Sequence, residues 1–188
     1  MKSGNTAPKC VLSHAHVLTT DQQEEVMATP TETTPPAPQA VPSSVRLTTL
    51  FGEREFEWDK AIYFPAGLKG FPDHNVFALA NFPGDGASSF LLMQCLTEPE
   101  LAFIVAPYNM DSDTINPEHL EQAFTIHGIK KNDGAVLLIV TLHKPEDNGD
   151  VSMSVNLRAP IIIDTERQSA YQHHLPEAGH YDFHHVVK

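Results

Sequence analysis

Residues 151–172, VSMSVNLRAPIIIDTERQSAYQ, decide the fold predicted for this chain. The first thirteen of them are apolar at every odd position, and the even positions from Ser152 to Arg158 are polar. Alternation with a period of two is typical of a β-strand that buries one face. Thirteen extended residues would span about 43 Å, which is longer than the strands of small sheets usually are. The strand must therefore bend within this stretch.

Pro160 marks the place where we expect that bend. Proline has no backbone N–H, so the strand loses a hydrogen bond to its neighbour at this residue. We predict a bend or a change of sheets at residues 159–160, as in the curved sheets of small barrels and sandwiches. The polar positions leave two interpretations open. They form a solvated outer face, or Asn156 and Arg158 hydrogen-bond neighbouring loops and hold a ledge for a binding partner.

The rest of the chain extends this β pattern. AVLLIVTL, residues 135–142, is apolar on both faces like a central strand, and Asn148 with Gly149 then favours a tight hairpin turn. From Arg46 onward, short β-branched and aromatic runs are separated by Gly, Pro, Asn and Asp. We predict strands at residues 47–51, 53–58, 61–64, 75–80, 89–94, 101–106, 135–142, 151–159, 170–174 and 181–186.

NPEHLEQAF, residues 116–124, is the one segment that predicts a clear helix. Asn116 suits the N-cap, Pro117 the first helical position, and Gly128 the end of the helix. Residues 46–188 are therefore predicted to be mainly β, a small antiparallel barrel-like or sandwich domain with one or two short helices. Residues 1–45 are rich in Pro, Thr and Ser and poor in large apolar side chains, which predicts a disordered tail.

The charge balance restricts the partners. The chain of 188 residues has 12 basic and 24 acidic residues, a net charge of −12, of which −10 belongs to residues 46–188. Such a chain repels phosphate backbones, so we expect no direct nucleic-acid binding. The longest uncharged apolar run is far shorter than the roughly 20 residues of a membrane helix, and no signal sequence follows Met1. We expect a soluble, cytosolic protein without disulfides, since Cys10 and Cys95 lie in unlike segments.

The histidines raise one catalytic alternative. His180, Asp182 and His184 alternate and would share one strand face as metal ligands of a small-barrel enzyme, with His173 or His127 as a further ligand. Three ligands in one row converge poorly on one ion, and exposed histidine rows are common, so we predict no metal site.

No nucleophile motif points to catalysis. Cys95 follows an apolar run, where a buried thiol packs as a small hydrophobe. Neither a G-x-S-x-G motif nor a phosphate-binding loop with its lysine occurs. We predict no catalytic residues, no cofactor and no enzymatic activity.

Three blocks follow one another between residues 46 and 188: FGEREFEWDKAIYFPAGLKGF (51–71), FLLMQCLTEPELAFIVAP (90–107) and SVNLRAPIIIDTERQSAYQ (154–172). In this order and spacing they resemble the FliW flagellar assembly factor family. The family's F-P-x-G-L-x-G-F turn corresponds to Phe64, Pro65, Gly67, Leu68, Gly70 and Phe71. Cys95 stands where the family's L-Q-S-L strand has serine, and Ala106 stands before Pro107 where an aspartate is common. The tail has no counterpart in the family pattern.

The resemblance implies a small, monomeric, barrel-like β protein of the cytoplasm without catalytic activity. Its partners would be flagellin and CsrA, the small RNA-binding repressor of flagellin translation. Free protein would sequester the repressor, and accumulated flagellin would occupy the protein and release the repressor. Two alternatives stay open beside this function: a flagellin chaperone without a role in translation, and the metal-dependent enzyme described above.

Seven residues are predicted to shape the partner-binding surface: Gly67, Leu68, Gly70, Phe71, Gln94, Asn156 and Arg158. The glycines have an alternative role, since they suit positive φ in the turn. We further expect an apolar groove, lined partly by residues 67–71, that receives an amphipathic helix of flagellin. The charge of residues 46–188 predicts that negative potential beside the RNA path of a basic repressor lowers its affinity for RNA.

Overall fold

The computed structural model describes residues 42–83, 89–144 and 151–187. Within them the chain forms one α-helix and eleven strands, so the mainly β prediction is confirmed. The predicted disordered tail up to residue 41 and the predicted turn at Asn148 and Gly149 lie outside the described residues. The elements are α1 Pro117–Ile126 and the strands β1 Ser44–Thr49, β2 Gly52–Glu57, β3 Ile62–Tyr63, β4 Val76–Asn81, β5 Leu91–Cys95, β6 Ala102–Pro107, β7 Gly134–His143, β8 Ser152–Val155, β9 Ile161–Asp164, β10 Ser169–Gln172 and β11 His185–Val187.

Seven strands form a closed ring of hydrogen-bonded neighbours, in the order β7, β6, β5, β4, β3, β10, β9 and back to β7. The pairings are antiparallel except the short parallel contact between β3 and β10, where Tyr63 lies opposite Ser169. Because β3 has only two residues, short pairings close the ring in place of the long ladders of a true barrel. β8 and β11 extend the sheet beyond β7, and β1 and β2 form a separate hairpin.

The long strand predicted from the opening stretch is interrupted over residues 156–160, the last of which is the proline. One edge of β7 pairs with β8, where Val140 lies opposite Val155, and with β9, where Leu137 lies opposite Ile161. Residues 156–160 therefore lie opposite only two residues of β7 and loop out as a bulge, the name used for them below. The chain is interrupted in the predicted region, but the strand ends at Val155 and not at Ala159, and the residues beyond the bulge form a strand of their own.

The helix forms as predicted. Asn116 Oδ1 accepts a hydrogen bond from the N–H of Glu118 at 2.9 Å, and Pro117 occupies the first turn. A cap of this kind contributes about 1 kcal/mol to stability. Leu120 and Phe124 on the buried face of α1 pack in one apolar cluster with residues of β7 and β8. The helix therefore covers the part of the sheet from which the bulge emerges.

Two further apolar clusters hold the ring and the hairpin. In the ring cluster, the wholly buried rings of Phe64 and Phe77 meet edge to face with 5.0 Å between their centroids. Burial of such a side chain contributes about 1.5–3 kcal/mol. The hairpin attaches to the ring through Phe56, which packs with Ala78 of β4 and with Leu96. The opposite face of the hairpin is exposed and carries charged side chains of β2.

The structure corrects one of the two interpretations of the polar positions at one residue, and it corrects the start of the last strand. Ser154 is 1% exposed and its Oγ lies 2.7 Å from Nε2 of His143, so the interpretation of a solvated outer face fails at Ser154, although Ser152 is exposed. The last strand begins at His185 and not at Tyr181. Tyr181 is buried, and its hydroxyl accepts a hydrogen bond from the N–H of Asn116 at the start of α1.

Candidate protein-binding surface

Residues 64–71 form a tight turn, called the glycine turn below. Gly67 has a φ of +62°, and a Cβ at this position would lie 2.5 Å from the carbonyl oxygen of Phe71. An L-residue is strained at this φ and its Cβ would overlap the backbone, so the turn needs glycine here. Leu68 and Phe71 exchange two backbone hydrogen bonds across the turn. Gly67 therefore makes the turn, and a part in binding stays a prediction.

The glycine turn exposes only part of its surface. Leu68 is 2% exposed and belongs to the ring cluster, so it anchors the turn from inside. Phe71 is 36% exposed, with its ring centroid 5.6 Å from that of Phe103. Gly70 has a φ of +90° and no heavy atom within 4 Å of the position of a Cβ. The turn thus presents an aromatic ring beside open backbone.

Gln94 lies in the interior and is 0% exposed. Its Nε2 lies 3.0 Å from the carbonyl oxygens of Cys95, Pro99 and Leu101, and so holds the loop between β5 and β6. Cys95 is a buried free thiol, as its sequence context predicts. Any effect of Gln94 on a partner must act through the shape of this loop.

The bulge is held by one side chain and displays another. Asn156 Oδ1 accepts a hydrogen bond from the N–H of Ala159 at 2.9 Å, within the bulge itself. Arg158 Nη2 lies 2.9 Å from Oε1 of Glu177, and its guanidinium lies 5.7 Å from the ring centroid of Phe183. The interpretation that this residue bonds to a neighbouring loop is therefore confirmed for Arg158. Contact of either residue with a partner stays a prediction.

Residues 172–175, called the strap below, join the bulge to the glycine turn. Lys69 Nζ of the turn lies 3.0 Å from Nε2 of His174. On the other side, the N–H of His173 donates to the carbonyl oxygen of Pro160 at 2.9 Å. The turn and the bulge carry six of the seven predicted binding residues, and the strap links the two. Sequence reasoning missed the strap, because its partners in the turn lie 105 positions away and carry no motif.

His173 of the strap also contacts a second imidazole. Its Nδ1 lies 3.2 Å from Nε2 of His127, which ends α1 and stacks on the ring of Tyr171 at 4.2 Å between centroids. Burial lowers the pKa of both imidazoles, and the charges of His127 and His174 lower the pKa of His173 further. A hydrogen bond between the two ring nitrogens also needs one unprotonated nitrogen as acceptor, so it is lost when both imidazoles are protonated.

The histidine row predicted as an alternative set of metal ligands is wrong in its geometry. His180 has a φ of +50° at the end of a one-turn 3-10 helix, and β11 begins only at His185. His180, Asp182 and His184 therefore do not alternate along one strand. Across residues 42–83, 89–144 and 151–187, no group of three or more His, Cys, Asp or Glu side chains is arranged to hold a metal ion.

An apolar groove of about 480 Å³ lies beside β11. Leu138, Val155 and Leu157 contribute buried side chains to it, and Tyr108 stands on the opposite wall. None of its lining residues is Asp, Glu, Lys or Arg. Residues 67–71 do not line it, so the expected link between the glycine turn and an apolar groove is wrong for this groove.

The outward face of the hairpin is acidic. Trp58, which follows β2, is 41% exposed, and Arg46 on β1 lies 3.5 Å from Oε2 of Glu55. A hydrogen bond from Ser44, and next the charge of Arg46, lower the pKa of Glu55, so this carboxylate stays ionised. Three exposed glutamates alternate along β2: Glu53, Glu55 and Glu57.

The family model described as FliW protein matches residues 46–187 of this chain. The chain belongs to the FliW family. The flagellar assembly factor FliW of Heliobacterium modesticaldum is 34% identical over 126 residues, which cover 66% of this chain and 78% of that protein. The FliW of Magnetococcus marinus is 33% identical over 125 residues, covering 66% and 74% of the two chains. The FliW of Bacillus velezensis is 30% identical over 149 residues, covering 74% and 94%.

A crystal structure of the flagellar assembly factor FliW shares the fold of this chain. The two superimpose with a TM-score of 0.56 at 23% identity, over 76% of this chain and 96% of that one. The FliW match includes the glycine turn, the bulge, the strap and the groove, and residues 1–45 lie outside it. Among the described residues, no helix has the length and apolar character needed to span a membrane.

Proposed function

We propose that this FliW family member is a cytoplasmic flagellar assembly factor that binds flagellin and antagonises the translational repressor CsrA by partner exchange. Family membership carries the proposal, because relatives that match 66% of the chain are named flagellar assembly factors. The protein then acts as a monomeric binding protein and not as an enzyme. Flagellin that accumulates occupies the protein and returns CsrA to its messenger RNA.

The proposed binding surface includes the exposed parts of the glycine turn and of the bulge. Phe71 is 36% exposed, and Arg158 lies against the ring of Phe183, which is 52% exposed. Aromatic side chains and arginine are enriched in the centres of protein interfaces, because they offer large contact area and hydrogen bonds together. Leu68 and Gln94 support this surface from the interior.

The charge of the chain supports antagonism of an RNA-binding partner. Residues 46–188 carry a net charge of −10, and the hairpin displays three glutamates on one face. Such a surface attracts a basic protein over long distances. Once bound, it adds negative potential beside the path of the RNA backbone, which lowers the affinity of the repressor for RNA.

Titration of the purified full chain with flagellin and with CsrA tests the proposed function, first separately and then in competition. We expect both proteins to bind and flagellin to displace CsrA. Binding of flagellin without CsrA would support the alternative of a chaperone that has no role in translation. Binding of neither protein would overturn the proposal.

Salt and charge variants isolate the electrostatic contribution. We expect the association rate with CsrA to fall as salt concentration rises. Glu53→Gln with Glu57→Gln removes two charges from the hairpin, and Glu118→Gln with Glu121→Gln removes two from α1 as a matched control. A lower association rate in the hairpin variant alone would assign the effect to that face. A rate independent of salt would remove the electrostatic part and leave partner binding intact.

A further inference from the structure

β11 and the groove beside it form a second surface, which is apart from the glycine turn and shares only Leu157 with the bulge. We propose that an extended, apolar segment of flagellin adds to the free edge of β11 as a further strand and places its side chains in the groove. This inference rests on the proposed binding of flagellin. It names where one segment of that partner binds and in which conformation.

β11 stands at the end of the sheet within the described residues. Its three residues pair with β8, from His185 opposite Val155 to Val187 opposite Met153, and the other edge of β8 pairs with β7. No strand in the described ranges pairs with the second edge of β11. Such an edge offers backbone N–H and C=O groups that a further extended chain can satisfy.

The groove is bounded on one side by β11. Three consecutive residues of the strand line it: His185, Val186 and Val187. Its floor is formed by Leu138 of β7 and Val155 of β8, so the groove lies over one face of the sheet and ends at β11. A strand paired with the free edge of β11 would therefore border the groove, and its side chains on that face would extend into the groove. This favours an extended segment over a helix, whose backbone groups are bonded internally.

The lining favours an uncharged, apolar occupant. Leu138, Val155 and Leu157 form a buried apolar floor. The whole chain carries a net charge of −12, yet none of the lining residues is Asp, Glu, Lys or Arg. A charged side chain buried there would lose its hydration without gaining a partner. The volume of about 480 Å³ lies within the range of preformed binding sites.

The wall opposite β11 is held in place before binding. The hydroxyl of Tyr108 donates to the carbonyl oxygen of Ser112 at 2.8 Å and accepts from the N–H of Ile115 at 2.9 Å. These two bonds fix the loop that follows β6. Binding in the groove therefore costs little ordering of this loop, which favours affinity.

A second copy of the chain suits this surface less well. A pairing of two β11 strands would join only three residues from each chain. Such a contact would bury much less surface than the roughly 1,200 Å² that stable interfaces bury. It would also bring together two chains that each carry a net charge of −12.

Binding of purified flagellin to full-length variants tests the inference. Val187 is 40% exposed at the rim of the groove, so Val187→Glu should leave the fold intact and place a charge in the site. Leu142→Glu is the matched control, because Leu142 is 49% exposed on β7 and does not line the groove. We expect the Kd for flagellin to rise about tenfold or more for Val187→Glu and to change less than about twofold for Leu142→Glu.

Amide hydrogen exchange supplies a second measurement on the same complex. Strand addition predicts that flagellin slows exchange at one or more amides of residues 185–187. Unprotected amides there, or equal affinity of Val187→Glu and the wild type, would overturn strand addition and leave flagellin binding in place. A wild-type chain that binds no flagellin would overturn the proposed function and this inference together. A wild-type dimer that Val187→Glu abolishes would make a second copy the occupant and overturn the inference.

Discussion

The glycine turn and the bulge meet at the same strap, but different parts of the chain set their shapes. Backbone conformation sets the shape of the turn, because Gly67 has a φ of +62° and a Cβ there would lie 2.5 Å from a carbonyl oxygen. Strand pairing sets the shape of the bulge, because residues 156–160 lie opposite only two residues of β7. Within the bulge, Asn156 accepts a hydrogen bond from the N–H of Ala159. One added methyl group is therefore expected to break the turn. The bulge instead depends on a hydrogen bond and a register.

Gly67→Ala should have the largest effect on stability. The new Cβ would overlap the carbonyl oxygen of Phe71, and an L-residue would be held in left-handed backbone. We expect the free energy of unfolding to fall by about 3 kcal/mol. Gly70→Ala is the matched control, since its φ is also positive but its Cβ meets open space, and we expect a loss of about 1–2 kcal/mol. Urea denaturation measures both, and equal losses would show that the close approach to Phe71 does not fix the turn.

Gln94→Leu extends the comparison to a loop that a buried side chain holds. The variant keeps an apolar stem of similar size but leaves the carbonyl oxygens of Cys95, Pro99 and Leu101 without this donor. We expect the free energy of unfolding to fall by about 2 kcal/mol. Gln122→Leu on the exposed face of α1 should change it by less than about 0.5 kcal/mol. A similar small change for Gln94→Leu would mean that the strands alone fix the loop.

Asn156→Ala tests the bulge itself. The variant removes the acceptor of the Ala159 N–H, and we expect the free energy of unfolding to fall by about 1 kcal/mol, because the pairing with β7 on both sides of the bulge remains. Asn156→Asp keeps a side-chain oxygen in the same place and should lose less. If Asn156→Ala were as damaging as Gly67→Ala, the side chain and not the pairing would be the main support of the bulge.

The same contrast shows which parts of the fold follow from sequence. The helix, the overlapping positions of the strands and the break at Pro160 come from local signals: a cap, an alternation and a missing N–H. Closure of the ring does not, because it depends on the parallel contact of Tyr63 with Ser169, two residues far apart in the chain. One of the two interpretations of the polar line placed Ser154 on a solvated outer face. Its neighbour His143 on β7 gives the hydroxyl a buried partner that no local pattern shows.

The candidate site divides in the same way. The glycine turn carries a motif, and Arg158 is an unusual residue in a strand, so the sequence predicts both as parts of the surface. The strap was missed because Lys69 and His174 are ordinary surface residues until the fold brings them to 3.0 Å. The groove was missed because Val187 resembles any strand residue. Its exposure follows from the position of β11 at the end of the sheet.

Lowering the pH should destabilise the strap. We expect the resulting fall in the free energy of unfolding to be smaller than the falls predicted for the substitutions. Burial lowers the pKa of His127, and burial followed by the charges of His127 and His174 lowers the pKa of His173. The pKa of His174 is lowered by burial and next by the charges of Lys69 and Arg158. The charged groups that lower the pKa values of His173 and His174 are all basic. Protonation of His173 or His174 therefore places a positive charge beside other basic side chains.

The sign of the effect follows from the two pKa values of each imidazole. In the unfolded chain the imidazoles titrate near pH 6.5, so above about that pH both states are neutral and stability is complete. Below this pH the unfolded state binds more protons than the folded state. The free energy of unfolding therefore decreases until the pH reaches the lowered pKa of the folded state. Urea denaturation between pH 8 and about pH 5.5 measures this decrease.

His127→Gln identifies the source of the acid response. The variant removes one of the two paired imidazoles, so we expect a smaller loss of stability between pH 8 and about pH 5.5 than in the wild type. His185→Gln on the exposed strand β11 should keep the wild-type dependence. If His127→Gln kept it too, the acid response would arise outside the pair. The strap would then join the turn to the bulge through its backbone hydrogen bond to Pro160, whatever the charge of His173.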